Sequence, residues 1–130
     1  MTPLPIFEFS NIIDNMQALR KFKAEIFQAL AHPTRIAIVE SLRNGERGAG
    51  ALLAELGLEQ ANLSQHLAVL RARQVVLTRK AGNQVYYRLR DPVLTRVLDL
   101  LKQYFYAQIS GNVALLNEME LDKGRRRRRA

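Results

Sequence analysis

The chain has 130 residues, 48% of them hydrophobic, and carries a net charge of +8 with a pI near 10.4. That length suits one domain with a modest core. The absence of cysteine excludes disulfides, thiolate metal sites and thiol redox chemistry. Five of the 20 basic residues form the run 125–129, so the body sets 15 basic against 12 acidic residues and is only mildly basic. The charge points to a polyanion partner without identifying it. No apolar run approaches the ~18 residues of a membrane span and no signal-peptide pattern occurs, so a cytoplasmic protein is expected.

Residues 1–12 hold two prolines and no periodicity, which predicts a loose arm ahead of a domain over 13–120. From about Asp14, Met16, Leu19, Phe22, Ile26 and Leu30 recur three or four apart, the spacing of an amphipathic helix. His32-Pro33 breaks that helix, because proline disfavours helical geometry in the residue before it, and Pro33 suits the start of the next. The second helix directs Ile36, Val39 and Leu42 inward and stops at Asn44-Gly45. A third runs over residues 49–56 with Leu52, Leu53 and Leu56 on its apolar side, and Gly57 ends it.

Residues 60–70 read QANLSQHLAVL. At about 100° per residue, Leu63, Leu67 and Leu70 share the core side. Ala61, Ser64, Gln65, Ala68 and Ala72 share the other. Lysine and glutamate normally cover a solvated face, whereas small residues allow close approach to another surface. Glutamine bonds both donor and acceptor atoms on an adenine edge in a major groove. Two helices joined by the tight LGLEQ turn read as a helix-turn-helix; an alanine-rich helix packed on another helix fits this segment equally well.

The next segment favours the first reading. In VVLTRKAGNQVYYRLRD the period is two, with Val85, Tyr87 and Leu89 on one face and Tyr86, Arg88 and Arg90 on the other. The break at residues 81–84 is a hairpin turn in which Gly82 and Asn83 both tolerate positive φ. Arg79, Lys80, Arg88 and Arg90 gather on this hairpin, the composition of a wing lying along phosphates. After Asp91-Pro92 a last helix carries Leu94, Leu98, Leu101, Phe105 and Ile109, widened by Val97, Leu100 and Tyr104. A helix apolar on more than one side requires more than one cover, and a second subunit is the natural one. Residues 110–112 either end this helix or interrupt it before 113–119. The basic stretch 121–130 is expected to be a disordered tail, since its charges repel and nothing apolar can be buried.

The motifs ALAHPTRIAIVESL, LAELGLEQANLSQHLAVLR and NQVYYRLRD, in this order and spacing, resemble the arsenic-repressor (ArsR/SmtB) family of winged helix-turn-helix transcriptional repressors over roughly residues 20–105. The resemblance implies a mainly α fold with a small β-hairpin wing, dimerising through its first and last helices. Leu19, Phe22, Ile26, Leu94, Leu98, Leu101 and Phe105 are then the dimer candidates. It makes residues 60–73 the recognition helix. Gln60, Ala61, Asn62, Ser64, Gln65, His66 and Arg71, with Arg79, Lys80, Asn83 and Arg88 of the wing, become the candidate DNA contacts. For His66 two readings stay open, a groove or phosphate contact and a structural histidine at the core edge.

The family's metal ligands do not carry over. Gly48 and Gly50 stand where a Cys-x-Cys pair would lie, and Val93, Tyr104 and Ala107 leave Asp91 alone in the last helix. His32 reads as a helix-start residue. No metal is therefore expected, and with no Gly-rich phosphate loop, no nucleophile–base pair and no clustered carboxylates, no cofactor or enzymatic activity is expected either. The expected partners are double-stranded DNA bearing an inverted-repeat operator, a second copy of the chain, and an unidentified small-molecule or protein effector. Two alternatives remain, a non-specific architectural DNA binder and a winged-helix protein-interaction module.

Overall fold

The structure is a computed structural model, and it describes residues 6–129. Among these residues the chain forms α1 (Ile6–Leu30), α2 (Pro33–Ser41), β1 (Arg47–Gly48), α3 (Ala49–Leu56), α4 (Gln60–Ala72), β2 (Val76–Ala81), β3 (Gln84–Leu89) and α5 (Val93–Arg129). The chain divides into two compact units, residues 1–92 and residues 93–130.

In the first unit α2 is central, packing against α1, α3 and α4, while α3 meets β1 and β3 and α4 meets β2. The core is aliphatic: Ala29 and Leu30, Ile38, Val39 and Leu42, Leu52, then Leu63, Leu67 and Leu70, closed by Val75, Val76 and Leu89. Each fully buried Leu, Ile or Val in such a core contributes about 1.5–3 kcal/mol of transfer free energy. The expected inward residues of α2 need one correction. Ile38 is fully buried, whereas Ile36 is only half-buried. The short α2 is packed on several sides, so its burial does not follow a single stripe.

Local chemistry sets the helix ends. His32 caps α2 through its side chain: Nδ1 accepts the Thr34 N–H at 3.0 Å, and Pro33 occupies the first turn where its missing N–H costs nothing. Gly57 closes α3 in the left-handed region (φ 63°), its N–H donating to the Leu53 carbonyl at 2.9 Å. At the far end of α4 the Val75 N–H reaches the Leu70 carbonyl and the Gln74 N–H the Arg71 carbonyl, both at 2.9 Å. This is the Schellman pattern, with Val75 closing over the helix it follows. Gln74 adopts φ 56° there, where glycine is usual, and its side-chain oxygen accepts from Arg90.

β1, β3 and β2 form an antiparallel sheet in that order, with Arg47 opposite Tyr87 and Arg79 opposite Tyr86. The hairpin turn has positive φ at Gly82 (62°), while Asn83 does not share it. Glycine at the first central position matches the twist of the flanking strands without needing a second left-handed residue.

The structure revises both termini. The helix expected from Asp14 begins at Ile6, because residues 6–13 contain no proline or glycine to stop it; Pro3 and Pro5 of the expected arm lie outside the described residues. α5 is continuous through residues 110–112 and through the arginine run, so residues 121–129 are helical rather than disordered. Asp122 pairs with Arg126 at 3.2 Å and Glu120 with Lys123 at 3.6 Å. Arg126, Arg127, Arg128 and Arg129 occupy the last turn, where the helix dipole favours cations.

Candidate nucleic-acid interface

The leucines of α4 decide which face is free. With Leu63, Leu67 and Leu70 buried, Ala61, Ser64, Gln65, Ala68 and Ala72 are exposed, as the helical spacing predicts, and so are Gln60 and Asn62. Short side chains around one glutamine leave a low, hydrogen-bonding surface along the helix. Glu59 caps α4 with its backbone alone, so no side chain occupies the first N–H groups. Those N–H groups and the helix dipole suit a phosphate oxygen. Arg71 is exposed in the last turn of the helix. The neighbouring Arg73 is held by Glu25 of α1 at 3.1 Å, which fixes α4 to α1.

The hairpin stands beside this face. A cleft of about 610 Å³ separates the two, lined by Gly48, Gln60, Ser64, Asn83, Gln84 and Tyr86 among others. The Tyr86 hydroxyl donates to Gln84 Oε1 at 2.5 Å. Lys80, Asn83 and Arg88 are exposed. Arg79 is also on the wing, yet it is not a free cation. Its Nε and Nη2 donate to Glu46 at 2.6–3.2 Å, and its guanidinium lies 4.7 Å above the Tyr86 ring. This fork holds the Glu46 carboxyl below its ordinary pKa and raises that of Arg79. Arg90, expected among the wing cations, donates instead to Gln74 at the base of the hairpin.

His66 departs from the free face. It is half-buried, and its ring centroid lies 4.3 Å from that of His32. Burial, then the charges of His32 and Arg35, push its pKa below 6.5. A neutral imidazole wedged against the start of α2 fits the structural reading of His66. The helix-start reading of His32 is realised in its cap.

Among the described residues no group of three or more His, Cys, Asp or Glu side chains gathers as a metal site. Of the dimer candidates, Leu19, Phe22, Leu101 and Phe105 are exposed, Phe22 by 56% and Phe105 by 58%, joined by Met16, Phe27, Leu100 and Tyr104. Ile26 and Leu94 are half-buried. Leu98 is buried.

Sequence reading missed β1 and Glu46. A two-residue strand has no detectable period, and the Glu46–Arg79 contact joins residues 33 apart in sequence. The Gly45-Glu46-Arg47 stretch reads as an ordinary polar turn.

A core of short helices, one presenting a small polar face beside a basic antiparallel hairpin, defines a winged helix-turn-helix DNA-binding protein. Residues 32–76 match the family described as bacterial regulatory protein, arsR family. Over 104 residues the chain is 40% identical to the uncharacterized HTH-type transcriptional regulator Rv0081 of Mycobacterium tuberculosis, covering 79% of this chain and 91% of that protein. The crystal structure of Rv0081 is similar with a TM-score of 0.65 at 42% identity, covering 73% of this chain and 96% of that one. A biofilm growth-associated repressor of Agrobacterium fabrum is 38% identical over 84 residues, 65% of this chain and 72% of that protein. A homodimeric winged helix-turn-helix DNA-binding domain, Mb0332 of Mycobacterium bovis, matches with a TM-score of 0.65 at 27% identity, covering 74% of this chain and 89% of that one.

The chain belongs to the ArsR family of bacterial transcriptional regulators. No helix among the described residues is long and apolar enough to cross a membrane.

Proposed function

We propose that the chain is a dimeric, sequence-specific transcriptional repressor that acts in the cytoplasm by occupying an inverted-repeat operator. The observation that carries this reading is the exposed face of α4. Gln60, Asn62, Ser64 and Gln65 stand clear of a helix whose leucines are buried, beside a wing bearing Lys80 and Arg88. Gln65, flanked by Ser64 and one turn from Ala61 and Ala68, is the base-reading residue. Lys80 and Arg88 contact phosphates, which orient the protein without reading sequence.

The exposed apolar side chains of α1 and α5 support a homodimer, as does the homodimeric state named for the Mycobacterium bovis domain. Two recognition helices about one DNA turn apart, roughly 34 Å, call for a two-fold-symmetric site. Repression follows from occupying the site. Release is assigned to an organic ligand or a protein partner, because the family's metal-ligand positions are held by Gly48, Gly50, Val93, Tyr104 and Ala107. Genome-wide capture of binding sites, with light scattering on the purified chain, tests the proposal. The expected result is a dimer at micromolar concentration and a recurring imperfect inverted repeat. A monomer, or capture without a shared sequence, refutes it; the second outcome is that of an architectural binder.

A further inference from the structure

In the fork between Glu46 and Arg79 a cation of the wing strands is paired with a carboxylate of the protein itself. Glu46 precedes β1 and belongs to the turn that leaves α2. Arg79 is on β2, cross-strand from Tyr86 of β3. Its Nε donates to both carboxylate oxygens, at 3.2 and 3.1 Å, and Nη2 to Oε1 at 2.6 Å. The side chain is thus fixed on two sides, by the carboxylate along one edge and by the tyrosine ring at 4.7 Å beneath it. Nη1 takes no part in the fork.

The charge of this unit decides what the wing does on DNA. Sequence-independent affinity grows with the number of phosphates neutralised, and each neutralised phosphate steepens the salt dependence by about 0.9 in the log–log slope. A wing bearing Arg79, Lys80 and Arg88 with no acid would offer three cations to any duplex. With Glu46 seated on Arg79 it offers two, while the fixed Nη1 can still donate to a groove that presents an acceptor in the right place. An arginine whose charge is matched gains little from phosphates in general and keeps its directional hydrogen bonds.

We propose that Glu46 is a specificity-determining residue, holding Arg79 in a charge-neutral fork so that the wing discriminates between DNA sequences instead of attracting all of them. The proposal rests on the reading of the hairpin as a DNA-contacting wing. It assigns a function to an acid that otherwise sits, against simple charge logic, beside the cations of a polyanion-binding surface.

The experiment measures binding of the full chain to operator and random duplexes across a salt series, for wild type, Glu46→Gln, Glu46→Asp and Glu118→Gln. Glu118 is exposed on α5, in the other compact unit of the chain, so its variant makes the same net charge change on an element that is not part of the wing. For Glu46→Gln the expected result is random DNA bound at least threefold more tightly near 0.1 M salt. Its slope should steepen by about 0.9, and the operator-to-random ratio should fall at least threefold. Glu46→Asp, which keeps the charge, and Glu118→Gln should both stay near wild type. Thermal unfolding confirms that each variant is folded. A ratio and slope unchanged in Glu46→Gln overturn the inference. So does a loss confined to operator affinity, since Glu46 would then only orient Arg79. A wild-type chain that binds both duplexes indistinguishably, or neither, refutes the underlying DNA reading, an outcome visible before any variant is compared.

Discussion

Replacing Gly57 by alanine tests the turn that aims α4. Gly57 sits at φ 63° and ψ 36°, between the end of α3 and the start of α4. A Cβ added there would meet no atom within 4 Å, so the penalty is conformational rather than steric. The left-handed region costs a residue bearing Cβ about 1–2 kcal/mol. The loss of glycine's freedom in the unfolded chain returns about 0.4–1 kcal/mol. The net expectation is a destabilisation of about 1 kcal/mol. Gly50→Ala provides the contrast within the same short helix. Gly50 has no positive φ and equally open surroundings, and alanine is the better helix residue by about 0.5–1 kcal/mol, so that variant should gain about 0.5 kcal/mol. Urea denaturation at fixed protein concentration, followed by circular dichroism, should place the midpoints on opposite sides of wild type. In thermal melts the two should be separated by several degrees. A neutral or stabilising Gly57→Ala would show that α3 does not end in a left-handed turn, and the placement of α4 would fall with it.

Lys80→Ala and Arg88→Ala should each weaken operator and random DNA alike and lower the log–log salt slope by about one unit, read in a fluorescence-anisotropy titration; an operator-only loss would make them base readers. His66 has a folded pKa below the unfolded value of 6.5, so the unfolded chain binds more protons. Its stabilising contribution is present above pH 6.5 and is lost as pH falls through the lowered value. Stability from urea midpoints between pH 8 and 5 should therefore drop on acidification more steeply in wild type than in His66→Leu. Parallel pH profiles would contradict the packing of His66 against His32.

Much of this was legible because short-range chemistry writes it into the chain. Proline after His32, glycine at 57 and the Gly82-Asn83 pair punctuate the elements, and Leu63, Leu67 and Leu70 fix the inner face of α4 by spacing alone. Where the sequence misled, long-range or cumulative terms decided. Residues 6–13 continue the helical spacing backwards through Ile13, Phe9 and Ile6, a signal overshadowed by the two prolines just before them. The arginine run repels itself in isolation, but Asp122 and Glu120 and the dipole of a 37-residue helix offset that repulsion. The Glu46–Arg79 fork exists only because the sheet sets β1 and β2 on either side of β3, within reach of an arginine side chain, and no local pattern encodes such a meeting. His66 lies near the edge of the helical wheel, where spacing cannot separate groove from core; in the structure it is half-buried with its ring centroid 4.3 Å from that of His32, a long-range contact that spacing does not encode.

In the proposed complex the exposed face of α4 reads bases through Gln65. The most direct test is the affinity of Gln65→Ala for the operator and for random duplex DNA under identical salt. Gln65 is exposed, so truncation should leave the fold intact while removing a bidentate base contact worth about 1–3 kcal/mol. The expected loss is about tenfold to a hundredfold on the operator, with random DNA unchanged within about twofold. Equal losses on both duplexes, or no loss on either, would contradict it and place the reading surface elsewhere.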